Sequence, residues 1–224
     1  IVYNDTKNHI RSMRKKNSYG LYGWVPSLFR KVSNKKYVDK ISINIDHLKG
    51  FKIFYCPLHM EPEVGLLYVS PEFNNTMEMI SMISKSLPAD CMLVLKEQPE
   101  SYAVRSKSYY KRLNKIGNCC WVKSDTSSIE MIKKSLCGAT ITGTAAVEAI
   151  HYKKPVLSFG AHQIINYLPT VEFVSNYAET KTAVNKIINK NIDDIDYIRS
   201  DKILTQVQLD CSFNLERYKE TYKT

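Results

Sequence analysis

The 224-residue sequence lacks the common signatures of metal and nucleotide-triphosphate chemistry. It has no G-x-G-x-x-G, no Walker loop and no G-x-S-x-G nucleophile elbow, which counts against dinucleotide, P-loop and hydrolase chemistry. Its six cysteines show no C-x-x-C spacing, and its five histidines have no partner at metal-ligand spacing. We therefore expect no metal centre and no cofactor.

Long apolar runs and a hydrophobic leader are also missing. No stretch approaches the length that a transmembrane helix requires, and most cysteines lie in or beside apolar segments, where reduced thiols pack well. These patterns predict a cytoplasmic protein without a signal peptide. Because the sequence begins with Ile1 rather than Met, we expect a further portion upstream.

Positive charge is concentrated in the first fifty residues. Residues 1–50 carry 11 Lys and Arg against 3 Asp and Glu, whereas residues 51–224 carry 21 against 19. The aromatic residues interleaved with this charge are Tyr22, Trp24, Phe29 and Tyr37. Such a segment suits an anionic membrane surface. A solvated basic linker is the alternative, and nucleic acid is a weaker one because no nucleic-acid-binding motif accompanies the charge.

The hydrophobic period changes repeatedly after residue 50, which is typical of alternating strands and helices. Strands are predicted at residues 51–56, 91–95, 118–122, 139–142, 155–159 and 171–174. Helices are predicted near residues 37–48, 71–86, 106–116, 127–136, 144–151, 179–189, 193–200 and 204–222. Since each crossover is long enough to join parallel strands, we predict an α/β fold, a doubly wound parallel sheet. Its Rossmann-like domain would span residues 51–190, followed by a helical tail at residues 191–224.

Residues 141–160, ITGTAAVEAIHYKKPVLSFG, carry the strongest signal. They read as strand, turn, helix and strand, with Gly143 free to adopt a backbone angle that other residues resist and Thr144 as a helix N-cap. The free N–H groups and positive dipole end of such a helix form an anion site. Glu148 lies on the same helical face as Thr144, so the pair could contact a phosphate and a sugar hydroxyl. In the alternative, Thr144 only caps the helix and Glu148 only complements its dipole.

Two other polar loops leave the carboxyl ends of predicted strands, where ligands bind to open parallel sheets. In the first loop, His59 is a candidate general acid or phosphate donor, and Glu61 and Glu63 could act on a sugar hydroxyl. The alternative is a structural histidine in an ordinary charged turn. We expect this loop to converge with residues 142–144 on one cleft.

The second loop follows the strand at residues 91–95. Lys96 could supply positive charge for a phosphate, while Glu97 or Gln98 could bond a base or a ribose. In the alternative, Pro99 simply ends the strand and its neighbours are solvated. We expect this loop to open onto the same cleft, next to Thr142.

At these three loops the sequence resembles the capsule polysaccharide biosynthesis family of bacterial glycosyltransferases, which includes the Kdo transferases. The resemblance runs from about residue 51 to residue 183 and rests on YCPLHMEPE, LVLKEQPES and TITGTAAVEAIHYKKPVLSFG. It implies a GT-B architecture, in which two Rossmann-like domains face each other across a cleft. This chain would be the donor-binding half, with residues 1–50 as a linker or a remnant of the acceptor half.

The resemblance also implies a reaction. The enzyme would transfer a sugar such as Kdo from a CMP-sugar, without metal, to a glycolipid or polysaccharide acceptor at the inner face of the membrane. By matching position, Gly143, Thr144 and Ala145 would hold the phosphate through backbone N–H groups, and Glu148 would bond the ribose. Gln98 with its following proline stands where related CMP-sugar enzymes have a His-Pro pair. A nucleotide-sugar epimerase of the same fold and a non-catalytic polyanion-binding module are the alternatives.

Overall fold

The computed structural model describes residues 19–61, 66, 70–73, 76–189 and 192–211, with side chains omitted at 19–25 and 211. Six parallel strands form one sheet in the order β3-β2-β1-β4-β5-β6. The strands are β1 (Lys52–Pro57), β2 (Cys91–Lys96), β3 (Cys119–Val122), β4 (Cys137–Thr140), β5 (Val156–Ser158) and β6 (Val171–Phe173). The strand order reverses between β1 and β4, which is the position where open α/β sheets bind ligands.

Helices cover both faces of this sheet. They are α1 (Tyr19–Ile41), α2 (Thr76–Ser86), α3 (Ser101–Val104), α4 (Lys107–Leu113), α5 (Ser128–Lys134), α6 (Thr144–His151), α7 (Tyr177–Asn189) and α8 (Asp194–Cys211). Side chains alternate along each strand, so Phe54 and Leu93 join one hydrophobic core while Tyr55 and Val94 join the other. Helices α1, α2, α4 and α7 contribute to the first core, and α5, α6 and α8 contribute to the second. The predicted α/β, Rossmann-like fold is confirmed.

The amino-terminal prediction was wrong in its boundaries. The helix expected near residues 37–48 is instead α1, which ends at Ile41 and is followed by a 3-10 turn at Ile45–Leu48. Its apolar residues follow no clear helical period, and Pro26 lies within it, so the sequence pattern gives little sign of a helix. The described part of the basic segment packs onto the sheet domain, because Asn34 and Val38 of α1 are buried.

Other boundaries differ in smaller ways. The helix predicted at residues 106–116 is α4, which is shorter, and the short helix α3 before it was not predicted. The two predicted helices after residue 193 form one continuous helix, α8. The predicted Ser127 cap of α5 is present, since its hydroxyl oxygen accepts the N–H of Glu130. Residues 212–222 of the predicted tail lie outside the described residues.

Strand β4 and helix α6 pack unusually closely. A Cβ added to Gly138 would lie 3.1 Å from the Cβ of Ala149. A side chain at either position larger than the present one would therefore push the helix away from the sheet. This close approach fixes where α6 begins relative to the end of β4.

Replacing Gly138 with alanine should lower the free energy of unfolding by about 1–3 kcal/mol, because the added methyl group overpacks the contact with Ala149. Urea unfolding measures the change. The matched control is Gly117→Ala, because a Cβ at Gly117 meets nothing within 4 Å. Equal stability of the two variants would contradict the packing argument.

Candidate functional site

The amino end of α6 is open at the carboxyl edge of the sheet. Gly143 adopts a φ of 102°, as the sequence predicts, and it is the residue that precedes the helix. The prediction of Thr144 as N-cap was wrong, because Thr144 is the first residue of the helix itself. Among the described residues no side chain caps this helix, so its first N–H groups remain available to an anion. Gly143 and Thr144 are both exposed, and Ala145 is partly buried.

A polar cluster lies beside α6 on the same side of the sheet. The ammonium group of Lys96 donates to the hydroxyl of Ser128 at 2.8 Å, and the phenol of Tyr55 donates to the same oxygen at 3.4 Å. Burial lowers the pKa of Lys96, while the carboxylates of Asp125 and Glu148 act to raise it. We call Tyr55, Lys96, Ser128 and Glu148 the Lys96 cluster.

Sequence reasoning identified Lys96 and Glu148 but missed Tyr55 and Ser128. Tyr55 reads as one more apolar residue of β1, and its phenol becomes relevant only when α5 is placed above it. Ser128 follows the Ser127 cap at the start of α5, directly after β3. Ser128 could have been identified from its position, because it lies at the start of a helix at the carboxyl edge of the sheet, where ligands bind.

His59 lies beneath the Gly143 turn. Its side chain is buried, and its Nε2 accepts the N–H of Ile141 at 3.2 Å and lies 3.0 Å from the hydroxyl oxygen of Thr140. Burial and the nearby charge of Arg105 lower the pKa of His59 to about 4. The imidazole is therefore neutral near pH 7, with its proton on Nδ1 because Nε2 accepts.

Glu97 faces the protein interior. It is 0% exposed, and both of its carboxylate oxygens accept from Nη1 of Arg105, at 2.8 and 2.6 Å. Burial raises the pKa of Glu97, and the charge and hydrogen bond of Arg105 oppose this rise. Gln98 and Pro99 are exposed. Of the predicted base-binding or ribose-binding pair, Gln98 is thus the residue that is accessible to a ligand.

Glu61 is tied to the start of α2. Its Oε1 accepts the N–H of Thr76 at 2.9 Å and lies 3.6 Å from Nη2 of Arg105. Its side chain retains 18% exposure, so its role on a sugar hydroxyl stays a prediction. Glu63 lies outside the described residues.

The predicted site residues therefore form two groups. Lys96 and Glu148 lie with the amino end of α6 on one side of the sheet, whereas His59, Glu61 and Glu97 surround the guanidinium of Arg105.

Within the described ranges, no set of three or more His, Cys, Asp and Glu side chains is placed to hold a metal ion. None of the helices described here is both long and apolar enough to cross a membrane.

The lowered pKa of His59 predicts a specific acid sensitivity. The unfolded chain binds more protons than the folded protein between pH 6.5 and about 4, so the free energy of unfolding should fall as the pH decreases through this window. The contribution is up to about 3 kcal/mol. Urea unfolding at a series of pH values should show a shallower fall for His59→Gln than for the wild type. Identical slopes would contradict the assignment.

Comparison with solved structures supports the fold. UDP-GlcNAc 2-epimerase from Methanocaldococcus jannaschii is 12% identical, with a TM-score of 0.53 over 79% of this chain and 49% of that chain. A UDP-forming α,α-trehalose-phosphate synthase from Burkholderia vietnamiensis is also 12% identical, with a TM-score of 0.51 over 83% and 48%. KpsC from Thermosulfurimonas dismutans, a β-Kdo 2,7 transferase, is 17% identical, with a TM-score of 0.47 over 84% and 57%.

At these identities the likeness to the epimerase and to the trehalose-phosphate synthase shows the fold alone. The chain spans about half the length of the three structures. No curated protein matches the chain. The family model described as "Capsule polysaccharide biosynthesis protein" matches residues 7–163, which is more than half of the sequence. The resemblance noted from the three loops is thus confirmed, and the chain belongs to the capsule polysaccharide biosynthesis protein family.

Proposed function

We propose that this chain is the donor-binding half of a glycosyltransferase of capsule or surface polysaccharide synthesis. The observation that carries the proposal is the uncapped amino end of α6 beside the Lys96 cluster, at the point where the strand order reverses. Family membership and the Rossmann-like fold support it. Because the chain covers about half of the structures it resembles, the reaction as a whole would require a second domain.

In this proposal the phosphate of the donor binds at the start of α6. The backbone N–H groups of Gly143, Thr144 and Ala145 donate to its oxygens, and the helix dipole favours its charge. Lys96 supplies the compensating positive charge, and the carboxylate of Glu148 accepts from a ribose hydroxyl. Both side chains lie on the α6 side of the sheet and interact electrostatically, which supports a shared ligand.

Such an arrangement would promote departure of the nucleotide. Negative charge develops on the phosphate as the glycosidic bond breaks, and preorganised N–H dipoles together with Lys96 stabilise that charge most strongly in the transition state. Gln98, which is exposed at the end of β2, can donate a further hydrogen bond. Activation of the acceptor hydroxyl requires a base, for which Glu61 is the candidate in this chain and the second domain is the other source, because the Nε2 of His59 already accepts the N–H of Ile141.

The donor proposed is a CMP-sugar such as CMP-Kdo, and the acceptor a glycolipid or polysaccharide. The three loop motifs support this choice through their likeness to the Kdo-transferase family. Association with the inner face of the membrane is part of the proposal, and the exposed Phe29 of the basic helix α1, at 73%, suits it. A nucleotide-sugar epimerase is the second candidate, since an epimerase shares the fold.

Two substitutions test the site. Thr144→Trp should block nucleotide binding by its bulk, and Glu148→Ala should weaken it by about 1–3 kcal/mol through loss of a hydrogen-bond partner. Calorimetric titration with CMP measures both effects. The matched controls are Thr182→Trp and Glu130→Ala, which replace exposed residues of α7 and α5. Wild-type affinity in both site variants would refute the assignment.

A titration of the wild-type chain with CMP and with UDP tests the donor class. We expect CMP to bind more tightly, and we expect Thr144→Trp to abolish that binding. A preference for UDP that is lost in the same variant would favour the epimerase. Binding that persists in Thr144→Trp but is lost when the exposed Lys36 and Lys40 of α1 are replaced by glutamine would favour a polyanion-binding module.

A further inference from the structure

The structure contains a buried cation that the nucleotide site does not use directly. Arg105 lies in the loop between α3 and α4 and is 5% exposed. Its Nη1 donates to both carboxylate oxygens of Glu97, and its Nη2 donates to the backbone carbonyl of His59. The guanidinium also lies 4.6 Å from the ring centre of Tyr109 and 3.6 Å from a carboxylate oxygen of Glu61. One side chain therefore joins the β1 loop, the end of β2 and helix α4.

Stability alone does not account for this network. Removing a guanidinium and a carboxylate from water costs several kcal/mol, and a well-packed apolar set of the same volume is often as stable. The geometry gives a different reason, because the bonds of Arg105 to Glu97 and to the carbonyl of His59 each fix a loop at the carboxyl edge of the sheet. A lysine could not reproduce it, since one ammonium group cannot match the planar fork that reaches both Glu97 and the carbonyl of His59.

The first line of contacts runs from Arg105 to the Gly143 turn. The carbonyl of His59 accepts from Arg105, and the Nε2 of the same residue accepts the N–H of Ile141. The hydroxyl of Thr140 donates to the carbonyl of Thr142 at 2.6 Å, which tightens the same loop. The Cε1 of His59 lies 3.8 Å from where a Cβ of Gly143 would stand. His59 thus supports the turn from below.

The second line runs from Arg105 to the loop after β2. The Oε1 of Glu97 accepts from Arg105 and also accepts the N–H of Gln98 at 2.9 Å. The backbone of Arg105 is itself held, because Nδ2 of Asn34 on α1 donates to its carbonyl at 2.8 Å. The loop that carries Gln98 and the loop that carries Gly143 are therefore anchored on one guanidinium.

We propose that Arg105 and His59 are positioning residues, which hold the Gln98 loop and the Gly143 turn at the spacing that a nucleotide phosphate requires. The proposal rests on the proposed function for the identity of the ligand. In it, His59 acts through its hydrogen-bond acceptor and its carbonyl, and its imidazole does not exchange a proton with the substrate.

The test compares His59→Ala, His59→Gln and Arg105→Lys with the wild-type chain. A glutamine Oε1 can replace Nε2 as acceptor for Ile141, whereas alanine cannot. We expect His59→Ala and Arg105→Lys to weaken CMP binding by about tenfold to a hundredfold, through displacement of the loops. His59→Gln should retain most of the wild-type affinity for CMP. The matched control is Ile83→Ala, which destabilises the hydrophobic core at α2 without removing a hydrogen bond of Arg105 or His59, and it should leave CMP affinity unchanged.

Amide hydrogen exchange without ligand supplies the second readout. The N–H of Ile141 should exchange faster in His59→Ala and return to the wild-type rate in His59→Gln, and the N–H of Gln98 should exchange faster in Arg105→Lys. Equal loss of affinity in His59→Gln and His59→Ala, or exchange rates that change as much in Ile83→Ala, would overturn the proposal. If the wild-type chain binds neither CMP nor UDP, the proposed function fails, while the exchange rates still decide whether Arg105 and His59 position the loops.

Discussion

The short pairing of β1 with β4 is the constraint on which the site depends. The two strands are in register only at Phe54 with Cys137 and at Tyr55 with Gly138, and the chain crosses to opposite sides of the sheet after each. Their ends open a gap that no other pair of strands in this sheet provides, since the strand order reverses here alone. The close contact of Gly138 with Ala149 then sets the amino end of α6 at the edge of that gap.

Charge is distributed around this gap in two different ways. On the α6 side, Lys96 and Glu148 are only partly buried, so they can exchange water for a ligand at modest cost. On the other side, Glu97 and Arg105 form a buried ion pair, and separating them would leave a charge unpaired in the interior. The first arrangement suits binding and the second suits rigidity, and His59 connects the second to the backbone of Ile141.

Much of the fold was predictable from local sequence, and the site was predictable in part. The apolar runs FKIFYC and CMLVL predicted β1 and β2 to within a residue or two, and the Gly143 turn predicted the start of α6. The role of Glu97 was not predictable, because KEQPE reads as a solvated loop and the partner Arg105 carries no local signal. Helix α1 was also mislocated, because its burial depends on contacts with α3 and β3 that no period in the sequence reveals.

The sharing of one guanidinium by Glu97 and His59 has an evolutionary consequence. Loss of Arg105 alone would leave the carboxylate of Glu97 buried without a partner, and loss of Glu97 alone would leave the guanidinium buried without its carboxylate. Neither residue can therefore be replaced alone without a loss of stability. Descendants of this chain should keep Arg105, Glu97 and His59 together or replace them together. Substitutions at this edge of the sheet should therefore accumulate at the exposed positions around these three residues.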